Sequence, residues 1–287
     1  MVEFDIAIPS SFTENLSSRM QRSFAVSNLA RASACFGVKR IYIYPDPLSR
    51  NRTIYKEVIK LLRYLITPPY LKKTLFEFED VLAYVGALPP IKLHLFEEKV
   101  RIKDIKYPIY RVGYTFAKKR GELYLVDVGL DKPVAIKGER PPSICIVKII
   151  KNSPKYLIGE LVDDNEVKDK GLYTGYTVIR SKENIVSLTK RYRGVKIGLS
   201  KYGDYIGNVG ILNLRKLVHE RGRILLVLGS HSYGLKEILN YYKIEPKELF
   251  DYFLNIVYSQ KVETIRIEEA IWIALSIMDY IVNSNMI

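Results

Sequence analysis

An α/β fold interrupted by an all-β insert is what the order of apolar segments predicts for this 287-residue chain. The opening reads strand, helix, strand; short alternating segments divided by Gly and Pro follow from about residue 88; buried-strand patterns return after about residue 168. Strands linked by helical crossovers favour a parallel sheet, whereas closely spaced short strands favour a small barrel. The expected division is 1–87 with 168–287 as one discontinuous α/β domain, and 88–167 as an inserted OB-like barrel.

The elements follow in order. "FDIAIPSS" is a buried-strand pattern with a turn behind it, and "RMQRSFAVSNLARASACFG" has helical apolar spacing ended by Gly37. "KRIYIYPDP" is a strand stopped by two prolines, which makes the preceding helix a crossover between parallel strands. Residues 54–66, "IYKEVIKLLRYLI", form a second helical pattern halted by "TPPY". The stretch from "LPPIKLHLF" to "PPSICIVKII" alternates apolar and polar residues between Gly and Pro clusters, as barrel strands do. In the last third, "VKIGLS", "ILLVLGS" and "YFLNIVYS" read as strands, and "RIEEAIWIALSIMDYIV" closes the chain as a helix with Ile267, Ile271, Ala274, Met278 and Ile281 near one face.

Composition narrows the function classes. Hydrophobic residues make up 48% of the chain and charged residues 26%, which excludes a disordered chain. The 45 Lys and Arg against 31 Asp and Glu leave a net charge of +14, which favours a polyanionic partner such as RNA. A charge-rich thermophile surface gives the same balance. Cys35 and Cys145 each sit in an apolar stretch that reads as core, so neither a disulfide framework nor a zinc site follows. "MVEFDIAIPSS" lacks the basic start of a signal peptide, and no apolar run reaches membrane-spanning length, so a cytoplasmic protein without membrane contact is expected.

Three strands of the C-terminal part end in polar, small-residue loops: "IGLSKYGD", "VLGSHSYG" and "LNIVYSQKVETIR". In open parallel sheets ligands sit beyond the carboxyl ends of strands, so three such loops can converge on one pocket, although each alone is also an ordinary turn. The chain has no GxGxxG, no Walker loop and no nucleophile elbow, and His94, His219 and His231 have no metal-ligand spacing. On the first helix Asn28 and Arg31 share a face, and an Arg shielded there calls for an anionic partner or a neighbouring carboxylate.

Residues 99–120 hold eight Lys or Arg against Asp104 alone. Lys99, Arg101, Lys103, Lys106, Arg111, Lys118, Lys119 and Arg120 interleave with Tyr107, Tyr110, Tyr114 and Phe116. Cations that meet phosphates beside aromatic faces that stack on bases suit single-stranded RNA, though a solvated strand edge shows the same mixture. Lys190, Arg191 and Arg193 form a second basic cluster, just before a candidate ligand loop, where charge would bring a phosphate chain to the pocket.

Together "IAIPSS", "LARASACFGV", "LLRYLITPPYLKKTLF", "GALPP", "VDVGLDK", "LGSHSYGL" and above all "LNIVYSQKVETIRIEEAIWIALS" resemble the SPOUT superfamily of trefoil-knotted methyltransferases. The closest likeness is to its archaeal and eukaryotic branch of RNA uridine-N3 methyltransferases, which carries an inserted barrel. The resemblance implies a SPOUT-type knotted parallel sheet, S-adenosylmethionine as cofactor, and a homodimer built on the knot region. It makes Gly198, Tyr202, Leu228, Gly229, Ser230 and Gly234 cofactor-site candidates from the first two loops. Asn255, Ile256, Gln260, Lys261 and Ile265 are those of the third, with Ile256 and Ile265 against the adenine. Where relatives place Gly and Arg this chain has Lys261 and Tyr202; the lysine either turns outward or fills the cleft. Asn28 and Arg31, followed by Phe36-Gly37, are similar to the first motif of SPOUT ribose methyltransferases, whose Arg assists catalysis. The expected function is methylation of a base, uridine N3, in ribosomal or other structured RNA, without a metal. A degenerate knotted dimer that binds RNA or the ribosome, and a small-molecule α/β enzyme with an incidental basic surface, are the competing readings.

Overall fold

The computed structural model describes residues 2–51, 53–96, 100–119 and 121–284. In chain order the strands are β1 (Glu3–Pro9), β2 (Arg40–Tyr44), β3 (Ile109–Lys119), β4 (Leu123–Asp127), β5 (Val134–Lys137), β6 (Ile144–Asn152), β7 (Leu157–Leu161), β8 (Thr177–Arg180), β9 (Val195–Tyr205), β10 (Arg223–Leu228) and β11 (Tyr252–Asn255). The helices are α1 (Arg19–Cys35), α2 (Tyr55–Ile66), α3 (Pro69–Leu75), α4 (Asp164–Asp169), α5 (Ile185–Arg191), α6 (Ile211–Arg221), α7 (Leu235–Tyr241), α8 (Pro246–Leu249) and α9 (Ile267–Asn283). The chain divides into two units, Met1–Ile66 with Glu79–Pro89 and Gly175–Ile287, and Thr67–Phe78 with Pro90–Thr174.

The first unit is a six-stranded sheet in the order β11-β9-β10-β1-β2-β8, parallel at every pairing. Its central strands are apolar without alternation because both faces are covered. Ile6, Ala7, Ile8, Leu225, Leu226 and Val227 are all fully buried. Ala7, Leu225 and Val227 pack on α5, α7 and α8 through Ile185, Leu235, Ile238 and Leu249; neighbouring residues of the same strands point to the other face. Helices α1 and α9 pack on each other, and the expected α9 face of Ile267, Ile271, Ala274, Met278 and Ile281 is buried. Ser18 begins α1 as half of a capping box with Gln21. Cys35 is not core: it lies exposed at the end of α1, where the helix turns its last residues outward. Thr177–Arg180, four residues that begin inside "GLYTGYTVIR", carry too short a pattern to read as a strand. As β8 they pair with β2 and extend the sheet.

The second unit is a closed barrel in the order β3-β4-β5-β7-β6. Its pairings are antiparallel except β5 with β7, so numbered within the barrel the strands run 1-2-3-5-4, the OB arrangement. Val126, Val134, Val147, Ile149 and Leu157 fill it. Residues 67–78, expected with the α/β part, belong here. Leu71 of α3 is buried with Leu95, Phe96 and Val112, and the Tyr70 hydroxyl donates to the Val112 carbonyl at 2.9 Å. An α/β unit with a parallel sheet and an OB-like barrel insert is therefore the architecture present, as the order of apolar segments predicts.

Two candidate RNA contacts on β3 are corrected here. Arg111 is 2% exposed, its Nε donates to the Val128 carbonyl at 2.8 Å, and its guanidinium lies 4.5 Å from the Tyr70 ring centroid. Tyr110 is half-buried, and its hydroxyl donates to Glu166 Oε1 at 2.6 Å. Both serve the barrel's own packing. Arg111→Ala is expected to lower the stability of the protein by roughly 2–4 kcal/mol, through a cavity and an unmet carbonyl. Lys119→Ala, on the exposed end of β3, is expected to change it by under about 0.5 kcal/mol in the same urea titration.

Candidate active site and basic surfaces

Three adjacent strands, β11, β9 and β10, end at one pocket of about 320 Å3. Residues 199–202 form one wall, 228–237 the second, and 255–267 with Ala270 the third. The first wall is made by an irregular ladder: Phe253 pairs with Gly198, but the next residue, Leu254, pairs with Asp204. Residues 199–203 thus face no β11 partner, and the strand bows there toward the pocket.

The second wall is a self-bonded turn. Ser230 N donates to the Tyr233 carbonyl at 2.8 Å, and Tyr233 N donates back to Ser230 Oγ at 3.0 Å. Gly229 is needed because the turn closes on it: a Cβ would stand 2.1 Å from Leu235 N and 2.5 Å from the Gly234 carbonyl carbon. The last strand residue, Leu228, has its carbonyl held by the buried Tyr44 hydroxyl at 2.6 Å, a group whose pKa burial pushes well up. Asn255 ties the third wall to the first, donating from Nδ2 to the Lys201 carbonyl at 3.3 Å while Oδ1 accepts from Val257 N at 3.0 Å. Gln260 shapes the third loop by donating to the carbonyls of Val262 and Glu263 at 2.7 and 3.0 Å.

Of the eleven cofactor-site candidates read from the sequence, nine line this pocket: Tyr202, Leu228, Gly229, Ser230, Gly234, Asn255, Ile256, Gln260 and Ile265. Gly198 does not. A Cβ there would stand 2.8 Å from the Phe250 and Phe253 rings, so its glycine serves the packing of that pair. Lys261 does not either: its ammonium turns away and donates to Ser259 Oγ at 2.8 Å, the outward alternative. The exposed Tyr202 ring has the ammoniums of Lys201 and Lys236 at 5.4 and 5.3 Å from its centroid. Neither lysine is among the candidates read from the sequence, because what sets them apart is a ring reached from two separate elements, β9 and α7.

Glu237, in the first turn of α7, is the other residue that sequence reading missed. It lines the pocket, and its buried Oε2 has no hydrogen-bond partner among the described residues. The signal for it is an acid just inside a helix that begins at Gly234, where carboxylates are favoured. A buried, unmet carboxylate oxygen suits a ligand that brings hydroxyl or ammonium donors. S-adenosylmethionine has both, and the apolar Ile256 and Ile265 suit its adenine, so the residues present fit that group. Among the described residues no group of His, Cys, Asp or Glu could hold a metal ion, and no helix is long and apolar enough to cross a membrane.

The remaining candidates lie elsewhere. Asn28, exposed, and Arg31, half-buried, are on α1, and neither lines the pocket of its own chain. Lys190 and Arg191 at the end of α5 and Arg193 just after it are exposed ahead of the first residue of β9, whereas the pocket lies toward the other end of that strand. They therefore flank the amino edge of the sheet and do not lead into the pocket, and Arg191 pairs with Glu183 at 2.9 Å. On the barrel unit Arg101, Lys103, Lys106, Lys118 and Lys119 are exposed. Lys99 and Arg120 lie outside the described residues.

The family described as "Putative RNA methyltransferase" matches residues 3–278. The chain is 25% identical over 288 residues to an uncharacterized protein of Haloarcula marismortui, covering 94% of this chain and 96% of that one. It is 26% identical over 296 residues to the 28S rRNA (uridine-N(3))-methyltransferase of Homo sapiens, covering 94% and 76%. Among solved structures, a "putative RNA methyltransferase of the TrmH family" from Porphyromonas gingivalis aligns with 11% identity and a TM-score of 0.38, over 96% of this chain and 59% of that one. Gly229→Ala is expected to destabilise the protein by roughly 1–3 kcal/mol as the turn is forced open. Lys261→Ala, outside the pocket, is expected to stay within about 0.5 kcal/mol, both read by urea denaturation.

Proposed function

From the premise that the chain belongs to the RNA methyltransferase family that matches residues 3–278, we propose that it methylates a base of RNA, uridine N3 in ribosomal RNA, with S-adenosylmethionine as donor. The observation that carries this is the convergence of three strand-end loops on one pocket that contains an unmet carboxylate oxygen, Glu237 Oε2. Support for the base and the RNA comes from the relatives named above as 28S rRNA (uridine-N(3))-methyltransferases.

Bound there, S-adenosylmethionine would supply an electrophilic methyl group on a sulfonium centre. The chain's work is placement. Of the residues that line the pocket, Ile256 and Ile265 would hold the adenine by apolar contact, the backbone of residues 228–230 would bond its polar edge, and Glu237 would accept from a ribose hydroxyl. Aligning donor and acceptor accounts for much of the acceleration. Uridine N3 must lose its proton, which passes to solvent water, and a cation beside the developing imidate stabilises it. We assign that cation to Arg31 of a second copy, with Asn28 orienting it, since neither reaches the pocket of its own chain. The homodimer, the knotted threading of the C-terminal segment, the cytoplasmic location and RNA contact by Arg101, Lys103, Lys106, Lys118 and Lys119 belong to the same reading.

Titration calorimetry with S-adenosylmethionine tests the donor: binding is expected, and Glu237→Gln is expected to weaken it about tenfold, the loss of one hydrogen bond to a charged acceptor. No heat at millimolar cofactor would return the chain to a non-catalytic RNA binder. Mixing inactive Arg31→Ala and Ile256→Trp subunits is expected to restore methyl transfer in mixed dimers. A mixture that forms mixed dimers and stays inactive would remove Arg31 from the neighbouring pocket.

A further inference from the structure

A crevice of about 420 Å3 opens where β1, β2 and β8 end, on the half of the sheet that the first pocket does not use. Ser10, Asp46, Ser49, Tyr55, Arg180 and Lys182 are among its walls. The Arg180 guanidinium lies 4.4 Å from the Tyr55 ring centroid. Neither Arg180 nor Lys182 has an ion pair or side-chain hydrogen bond among the described residues.

The acid of the crevice, by contrast, is already used. Asp46 Oδ2 accepts from Ser11 Oγ at 2.5 Å, and Oδ1 accepts from Leu48 N at 2.9 Å. The chain just beyond Ser49 is also held: Glu14 Oε1 accepts from Arg50 N at 2.7 Å and Asn51 N at 2.5 Å, and Asn51 Oδ1 caps the turn into α2 through Thr53 N at 3.0 Å. What remains open to a ligand is therefore cationic. A guanidinium backed by an aromatic ring presents its N–H fork to a planar anion, and a flexible ammonium beside it neutralises further charge; both fit a phosphodiester.

Position says which phosphodiester. Every strand of the sheet runs the same way, so this crevice and the donor pocket open on the same edge. The crevice centres on β2 and the pocket on β9, three strands away, or roughly 14 Å at the usual strand spacing. The two are also joined mechanically, because the Tyr44 hydroxyl at the end of β2 holds the Leu228 carbonyl at the mouth of the pocket. We propose that the crevice of Arg180, Lys182 and Tyr55 is a subsite for a backbone phosphate of the RNA strand whose target base enters the donor pocket, an assignment that rests on the methyltransferase reading.

The test uses the full chain and a fluorescent, unstructured uridine-rich 12-mer RNA. Arg180→Glu with Lys182→Glu is expected to weaken binding about tenfold near physiological salt, and to reduce the slope of log K against log salt by roughly one to two, as lost phosphate contacts do. The heat of S-adenosylmethionine binding is expected to be unchanged. Lys182→Glu alone, at an exposed position, is expected to give a smaller loss in the same direction and guards against misfolding of the double variant. Unchanged affinity and slope in both variants, with normal donor binding, would overturn the crevice and leave the methyltransferase reading intact. Absent donor binding with these RNA losses would overturn that reading and keep the phosphate site. A wild-type protein that does not hold the 12-mer overturns both. Equal affinity for uridine 5′-monophosphate would assign the crevice to a free nucleotide and overturn the RNA subsite.

Discussion

Parallel alignment of six strands, buried on both faces, is the constraint on which the functional edge depends. Inside such a sheet every backbone donor and acceptor is spent on a neighbour, and only beyond the carboxyl ends do peptide groups become available to a ligand. The chain uses that edge twice, over β9, β10 and β11 and again over β1, β2 and β8. Tyr44 holds the two halves together, because a phenol in the core must donate somewhere and the carbonyl before Gly229 is where it does so.

Charge follows the same polarity. At the amino edge three arginines are matched: Arg40 meets the buried Asp5 at 3.0 Å, Arg223 meets Glu3 at 2.9 Å, and Arg221 meets Asp251 at 2.9 Å. Burial raises the pKa of Asp5, while Arg40 and the Tyr192 hydroxyl work to lower it. At the carboxyl edge Arg180, Lys182, Lys201 and Lys236 have no carboxylate partner among the described residues; two lie over Tyr202 and one over Tyr55. These four cations are therefore available to an anion at the edge where the pocket and the crevice open.

The barrel shows how one basic stretch serves two purposes. Along β3 burial changes with position: Arg111 stands in the buried run 111–113, while Lys118 and Lys119 at the far end of the strand remain in solvent. Charge and aromatic content alone do not separate these roles. Tyr110 reads as a stacking platform but spends its hydroxyl on Glu166, whose carboxyl is held below its usual range first by that bond and then by Lys148.

Local patterning by itself determined the strand, helix, strand opening, the apolar runs of β9, β10 and β11, the buried stripe of α9 and the presence of an all-β insert, since each is written in periodicity over neighbouring residues. The three loops were legible for the same reason, as short motifs directly behind strands, and most of their pocket residues through the family resemblance that those motifs carry. Tertiary structure alone decided that Lys261 turns outward, that Gly198 makes room for two phenylalanines, that residues 67–78 join the barrel, and that Lys190, Arg191 and Arg193 stand at the far edge of the sheet. It alone brought Glu237 into the pocket with an unmet oxygen and Arg180 over Tyr55. These are contacts between residues far apart in the chain or facing opposite sides of one element, and spacing along a sequence carries no information about which of those partners the fold will bring within reach.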